Sequence, residues 1–156
     1  MQVSYPVRRY SSPRHAYPAR GFTLIELLIA MAIMAILATV AYASYDSFIV
    51  KSRRAAAAAC LQERAQFMER FYTTNLSYYN TATNSAPALA QCDAEVAQHY
   101  QISYQVTPTA AAPRAYTLRA VPQGAQATKD TKCGTLSITQ AGVRGRTGSA
   151  PVTDCW

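Results

Sequence analysis

The sequence predicts an α+β protein: a long N-terminal helix, membrane-spanning in its first half, packed on a small antiparallel β-sheet head. The first observation is an apolar segment, because the chain has no charged side chain from Leu27 to Tyr45. A helix of that length, at about 1.5 Å per residue, approaches the roughly 30 Å of a bilayer core. The second observation is an alternation of apolar and polar residues in three short segments after His99, which is typical of half-buried strands.

The positive charge of the chain is concentrated before the apolar segment. The formal net charge is +7. Four arginines and no acidic residue precede Phe22, namely Arg8, Arg9, Arg14 and Arg20. Loss of residues 1–21 would lower the net charge by these four, to +3. Positive residues beside a membrane span hold that flank in the cytoplasm, so the basic balance indicates topology rather than nucleic-acid binding.

The N-terminal region allows three interpretations. It resembles a secretory signal peptide, with a cleavage site at residues 41–43 before Ser44. A plain single-pass anchor with an uncleaved N-terminus is the second interpretation, which explains the length of the segment but not Glu26. The third interpretation is a cut on the cytoplasmic side, between Gly21 and Phe22, which keeps the apolar segment in the mature protein.

Glu26 distinguishes these interpretations. A carboxylate costs roughly 2.5–3.5 kcal/mol at the bilayer centre, and less near an interface. A cut after Gly21 creates an α-amino group at Phe22, which is largely protonated at neutral pH and lies one helical turn from Glu26. The first turn of a helix also favours an acidic residue. Only the third interpretation therefore accounts for the basic leader, the glycine and the acid together.

The segment G-F-T-L-I-E-L at residues 21–27 resembles the class III signal of type IV prepilins and related pseudopilins. The resemblance implies a prepilin peptidase that cuts after Gly21 and N-methylates Phe22. It implies that Glu26 pairs with the Phe22 amine of a neighbouring subunit during filament assembly. It also implies that Thr23 lies in the same tightly packed N-terminal zone.

The same resemblance implies the type IV pilin fold and divides the chain into three parts. Residues 1–21 are a leader that is cleaved, residues 22–50 a hydrophobic transmembrane and assembly helix, and residues 51–156 a periplasmic globular head. The protein would cross the inner membrane once, with its N-terminus in the cytoplasm, and then enter an extracellular pilus.

The chain departs from the pilin pattern at one position. Many type IV pilins have a proline in the second half of the apolar helix, in a context such as Ala-Tyr-Pro-Ser-Tyr. Residues 41–45 read Ala-Tyr-Ala-Ser-Tyr instead. Alanine keeps the backbone N–H that proline lacks, so no kink is forced and we expect a straighter helix at Ala43.

The helix is expected to continue past the membrane to about Thr74. Residues 51–54 mark the exit into water, and the alanines at 55–59 favour helix. Asn75 is a helix stop signal. An apolar stripe at steps of three or four residues would pack on a sheet: Ala57, Leu61, Ala65, Met68 and Tyr72.

The remaining sequence predicts the head. Residues 76–98 read as a loop with a short helical turn at 89–97, and strands are expected at 100–107, 116–120 and 135–139. These strands would form an antiparallel meander covered on one face by the helix. Residues 143–156 are expected to be irregular. The starting segment C-G-T-L at 133–136 and the terminal Cys155-Trp156 resemble PilE-type minor pilins in particular.

All four cysteines follow the apolar segment, on the oxidising side of the membrane, where disulfides form. Of three possible pairings we favour the nearest-neighbour one, Cys60–Cys92 and Cys133–Cys155. Zinc is the alternative interpretation, but the chain has no C-x-x-C, and His99 is the one histidine on that side. We expect no metal and no cofactor.

The sequence predicts a structural, minor subunit of a type IV pilus that polymerises through its N-terminal helix and serves pilus assembly, adhesion or twitching motility. Its expected partners are other pilins, the prepilin peptidase, the inner-membrane pilus assembly machinery and the membrane itself. We expect no enzyme activity, since no constellation of base, nucleophile and metal is visible. His99 reads as a surface or sheet-edge residue, and Asp93 and Glu95 as solvated acids.

Three alternatives remain at this stage. One is a pseudopilin of type II secretion, which shares the N-terminal signal. Another is a minor pilin that binds DNA or a surface through basic residues of the C-terminal third, against which stands an ordinary solvated face. That possible anionic-ligand patch consists of Lys129, Lys132, Arg144 and Arg146. The third is a soluble exported protein cleaved before Ser44.

Overall fold

The computed structural model describes residues 21–156. Residues 1–20 of the predicted leader, with their four arginines, lie outside the described residues. The chain divides into two units, Met1–Val40 and Ala41–Trp156, and each is described by itself.

Helix α1 covers Leu24–Asn75. It is helical without interruption through Ala43, where the pilin pattern has proline. It ends at Asn75, whose side-chain Nδ2 donates to the carbonyl of Phe71 at 3.0 Å. Leu76 then takes a left-handed backbone conformation, with φ 53°, which is a common way for a helix to terminate. The predicted stop signal therefore lies at the end of the helix, and a straighter α1 stays a prediction.

The second unit contains a four-stranded antiparallel sheet in the order β1-β2-β3-β4. Its strands are β1 (Tyr100–Val106), β2 (Thr117–Pro122), β3 (Leu136–Thr139) and β4 (Arg144–Arg146). Three short helices accompany them: α2 (Ala94–Ala97), α3 (Gly124–Lys129) and α4 (Val152–Cys155). The α+β fold with its antiparallel meander is confirmed, and the three predicted strands agree with β1, β2 and β3 within one or two residues.

The prediction that residues 143–156 are irregular was wrong. They contain β4, which pairs with β3, and α4. Strand β4 reads Arg-Gly-Arg and has no apolar alternation, so its pairing depends on the turn before it and on Gly145. A Cβ on Gly145 would lie 2.5 Å from Ser137 Oγ on the neighbouring strand, so a side chain there would require Ser137 to move.

The core of the second unit lies between α1 and one face of the sheet. On the helix, Ala57, Leu61 and Met68 are buried, and Ala65 and Tyr72 are partly buried against them, so the predicted stripe is the packing face. Strands β1, β2 and β3 contribute alternate residues to this core, namely Tyr100, Ile102, Leu118, Ala120, Leu136 and Ile138.

Two disulfides tie the irregular parts of the head to its regular elements. Cys60–Cys92 joins α1 to the loop before α2, with 5.9 Å between the Cα atoms. Cys133–Cys155 joins the start of the β3 segment to α4, with 5.5 Å between the Cα atoms. The structure thus has the nearest-neighbour pairing.

The loop also covers the outer edge of β1. The side-chain amide of Gln91 donates to the carbonyl of Ile102 at 2.9 Å and accepts its N–H at 3.0 Å. Gln91 precedes Cys92, so the disulfide holds this side chain beside the strand. The edge position of Ile102 therefore has both backbone groups satisfied.

Candidate functional site

The first unit presents an apolar helix surface. Phe22 is 84% exposed and Leu24 is 92% exposed, and the large apolar side chains that follow them are exposed as well. The most apolar 18-residue window of α1 has a mean hydropathy of 2.6, and none of that window is buried. By length and composition α1 is able to span a membrane. Burying one Leu, Ile or Phe side chain contributes roughly 1.5–3 kcal/mol, so this surface favours a bilayer or other helices over water.

Thr23 lies at the N-cap of α1. Its hydroxyl accepts the backbone N–H of Glu26 at 3.3 Å, and its carbonyl accepts the N–H of Leu27 at 3.2 Å. A threonine followed three residues later by glutamate is the pattern of a capping box, which satisfies N–H groups that the first turn leaves unpaired. The resemblance to prepilins implies only that Thr23 lies in a packed zone. This cap was not predicted, although the Thr-x-x-Glu spacing is its signature.

Glu26 is the acidic residue in the first turn of α1. Its side chain is exposed, and it takes part in none of the ion pairs among the described residues. Phe22 is here still joined to Gly21, so its nitrogen is an amide and not the cation that cleavage would create. The carboxylate is thus available to a partner outside the described chain.

A buried polar network joins α1 to the head. Arg54 Nη1 lies 2.5 Å from Asp130 Oδ1, and Tyr100 donates its hydroxyl to Asp130 Oδ2 at 2.6 Å. Gln126 Nε2 donates to the carbonyl of Val50 at 3.0 Å. Burial, with the Asp130 hydrogen bond, raises the pKa of Tyr100 well above its usual value. The network connects α1, α3 and β1 and keeps a charged pair out of water.

A second cluster lies where α1 meets the start of the loop. Glu69 accepts the hydroxyl of Tyr78 at 2.9 Å and that of Tyr116 at 2.9 Å. The Tyr78 ring packs edge-on against Tyr116 with 4.7 Å between the ring centroids. Burial first, and the Glu69 hydrogen bond second, raise the pKa of Tyr78 to about 12. Both tyrosines are therefore held neutral and donating.

The four residues of the predicted anionic-ligand patch lie in different surroundings. Lys129 and Lys132 line one cleft, and Lys129 forms an exposed ion pair of 2.5 Å with Asp46. Arg144 lies over the ring of Trp156, at 5.3 Å from its centroid. Arg146 donates to the carbonyl of Gly148. The two lysines thus share a cleft, whereas each arginine has a local partner.

The residues considered as catalytic groups, His99, Asp93 and Glu95, lie at the starts of β1 and α2. His99 is partly exposed at the start of β1, and its carbonyl accepts the N–H of Gln123 at 2.8 Å. Asp93 is the N-cap residue of α2, and Glu95 is exposed in its first turn. No group of three or more potential metal ligands occurs within residues 21–156.

Two family models match parts of the chain, and one solved structure is similar to it. The family model "Prokaryotic N-terminal methylation motif" matches residues 18–42. The family model "Type IV minor pilin ComP, DNA uptake sequence receptor" matches residues 43–137, more than half of the chain. A crystal structure of the non-core minor pilin PilV of Neisseria meningitidis matches with a TM-score of 0.46 and 20% identity, covering 65% of this chain and 90% of that one. A search of curated proteins gave no match.

The long apolar helix, the small antiparallel head and the methylation motif define a type IV pilin. The chain belongs to the family of ComP-type type IV minor pilins. It is accordingly a minor structural subunit that assembles with other pilins into a pilus, and the family is structural rather than enzymatic.

Proposed function

We propose that this subunit is cut after Gly21, is N-methylated at Phe22 and polymerises through residues 22–50. The observation that carries the proposal is the exposed apolar surface of α1, interrupted near its start by the single carboxylate of Glu26. Hydrophobic contact along this helix drives bundling with neighbouring helices. An ion pair between Glu26 and a neighbour's Phe22 amine sets the register, because one unpaired charge in such a bundle is strongly unfavourable.

The mature N-terminus tests this proposal. Intact-mass and N-terminal sequence analysis of the protein from sheared pili should give N-methylated Phe22. A start at Ser44 would mean a soluble exported protein, and an intact Met1 would mean a plain anchor. Absence of the protein from sheared pili, together with its presence in a type II secretion complex, would support a pseudopilin instead.

We also propose how the subunit is oriented in the membrane before assembly. Before assembly the helix spans the inner membrane once, with its N-terminus in the cytoplasm and residues 51–156 in the periplasm. The two disulfides support an oxidising surrounding for the head. The partners at this stage are the prepilin peptidase and the inner-membrane assembly machinery.

DNA binding is the second candidate function. It is consistent with the description of the matching family model as a DNA uptake sequence receptor. The candidate contacts are the basic residues Lys129, Lys132, Arg144 and Arg146. The test is binding of duplex DNA to the full processed chain over a salt series, in which each phosphate contact steepens the slope of log K against log salt by about 0.9. No binding at low salt excludes this function and leaves the structural role intact.

A further inference from the structure

A cleft of about 560 Å³ lies in the second unit beside α1. One wall comes from α1 between Asp46 and Arg54, and the other from residues 129–133 and the C-terminal segment around Ala150 and Asp154. The volume is within the range of small-molecule sites, which is roughly 300–1,000 Å³. Only Asp46, Ser47 and Val50 of the cleft belong to the assembly segment proposed above, and its other lining residues lie beyond residue 50.

The walls of the cleft are fixed by buried groups. Arg54 and Asp130 form their buried ion pair in it, and Arg54 Nη2 also donates to the carbonyl of Asp154 at 3.3 Å. Cys133 lines the cleft and is bound to Cys155, which holds the C-terminal wall in place. A cleft with such walls is formed before a ligand arrives, which lowers the free-energy cost of binding.

The charged groups of the cleft that are in no ion pair have a net positive charge. Asp46 is paired with Lys129, and Asp130 with Arg54. Lys51 and Lys132 line the cleft, are exposed, and form no ion pair with any residue of the described chain. The Asp154 carboxylate is the one lining acid that is not in an ion pair among those residues. Two ammonium groups against one carboxylate favour an anion, and lysine is a common ligand of phosphate.

The position of the cleft along the chain indicates where that anion comes from. The uncharged run ends at Tyr45, and Asp46 and Lys51 of the cleft follow within six residues. Tyr42 and Tyr45 are exposed. Tyrosine is enriched at the membrane–water interface, and basic residues immediately beyond a span contact anionic headgroups. In the inserted subunit the α1 wall of the cleft, from Asp46 to Lys51, therefore lies beside the lipid headgroups.

We propose that the cleft binds the phosphate headgroup of an anionic phospholipid while the subunit waits in the membrane. Lys51 and Lys132 bind the phosphate oxygens, and Val50 and Ala150 form an apolar wall for the glycerol backbone. The inference rests on the proposed function, because it requires α1 to be inserted. Release of the lipid then accompanies extraction of the subunit into the pilus.

The test is native mass spectrometry of the full processed chain in detergent. The probes are phosphatidylglycerol, phosphatidylcholine with the same acyl chains, and inorganic phosphate. The variant is Lys51→Gln with Lys132→Gln. The matched control is Arg70→Gln with Arg114→Gln, which removes the same charge from exposed positions outside the cleft. Thermal unfolding followed by circular dichroism checks that both variants keep the wild-type transition.

We expect wild type and control to prefer phosphatidylglycerol over phosphatidylcholine by about ten-fold or more, since each lysine near an anionic lipid contributes roughly five-fold. The cleft variant should lose most of this preference. Equal loss in the control, or an unchanged preference in the cleft variant, overturns the proposal. Lysine-dependent binding of inorganic phosphate without a lipid preference identifies a free-phosphate site and also overturns it.

Two further outcomes separate this inference from the proposed function. If the mature chain begins with N-methylated Phe22 and enters pili but shows no lipid preference, only the lipid site is wrong. If the cleft variant binds lipid like wild type yet is missing from sheared pili, the cleft is a contact with a neighbouring pilin instead. A mature start at Ser44 contradicts both the proposed function and the lipid site, because both require residues 22–43 in the mature chain.

Discussion

At the scale of single residues, Thr23 and Glu26 have different functions at the start of α1. The Thr23 hydroxyl satisfies the Glu26 backbone N–H, which defines where the helix begins. The Glu26 side chain is left without a partner among the described residues and is the acid in the first turn. Capping and assembly can therefore be tested separately.

Replacement of Glu26 by alanine should leave a processed, membrane-inserted protein that assembles poorly. The reason is that the neighbour's Phe22 amine would then be buried without a counter-charge, which costs about 3–5 kcal/mol for a buried pair broken on one side. Immunoblots that compare sheared pili with membrane fractions measure how much of the variant enters pili. Thr23→Ala is the comparison variant, since loss of a cap costs only about 0.5–2 kcal/mol. Wild-type amounts of Glu26→Ala in pili would refute the register function.

Asp130→Asn should destabilise the head by about 3–5 kcal/mol, because Arg54 would remain buried without its counter-charge. The matched control is Asp46→Asn, which breaks the exposed pair with Lys129 and should cost less than about 1 kcal/mol. Urea unfolding of both variants gives the comparison. Equal effects would show that burial does not determine the strength of the Arg54–Asp130 pair.

The buried tyrosines predict a loss of stability at alkaline pH. The pKa of Tyr78 is about 12 in the folded head and about 10 when the chain is unfolded, and Tyr104 is similar. Between these values the unfolded state releases protons first, so the free energy of unfolding is unaffected below pH 10 and falls as pH rises toward 12. Tyr78→Phe should make this fall shallower than in the wild-type head, because it removes one of the hydroxyls whose pKa is raised in the folded state. Urea titrations at several pH values measure both slopes.

At the scale of elements, the loop between α1 and β1 depends on one covalent link. Cys60–Cys92 closes a segment of 32 residues, and loss of a native disulfide from a small secreted domain costs about 2–5 kcal/mol. The double variant Cys60→Ser, Cys92→Ser should therefore unfold at lower urea and be cut by protease within residues 76–98. Limited proteolysis with mass mapping locates the cuts. Cleavage first near β4 would contradict this account.

The elements that the sequence predicted are those with a repeating pattern. The apolar run has the length and composition of a membrane-spanning helix. The stripe from Ala57 to Tyr72 and the alternation in β1 report burial directly, so the helix and three strands could be placed. Strand β4 could not, because Arg144 and Arg146 follow no apolar period and the strand depends on pairing with β3.

Functional residues could be predicted where they lie in one contiguous motif, and not where the fold brings distant residues together. The candidate assembly residues lie in a contiguous motif, so residues 21–27 could be singled out from sequence. The buried pair of Arg54 and Asp130 could not, because its partners are 76 positions apart and arginine after an apolar run is equally explained as a membrane-exit residue. Lys51 in the cleft was missed for the same reason, whereas Lys129 and Lys132 were singled out by their proximity in sequence.

At the scale of the whole molecule, the two units serve separate purposes. The first unit exposes its apolar surface, whereas the second contains a core, a sheet and both disulfides. Every buried hydrophobic residue of the described chain lies at or after Val50. The head therefore does not need residues 22–45 for its core.

A chain of residues 46–156, exported by an unrelated signal peptide, should fold, stay soluble and form both disulfides, yet be absent from pili. The expected intact mass is four hydrogens below the reduced mass, with a cooperative thermal transition. The full chain exported through its own signal is the control for pilus entry. An aggregated or reduced product would show that the head requires the N-terminal helix to fold.

The side chain of Gln91 has a further consequence once many heads are held side by side on one filament. A strand at a sheet edge with free backbone groups can pair with a strand of another molecule, and crowding of heads makes such pairing more frequent. Gln91 occupies both groups of Ile102 and so acts as a one-residue substitute for a fifth strand. At Ile102, a neighbouring head would therefore find no free backbone group with which to extend the sheet.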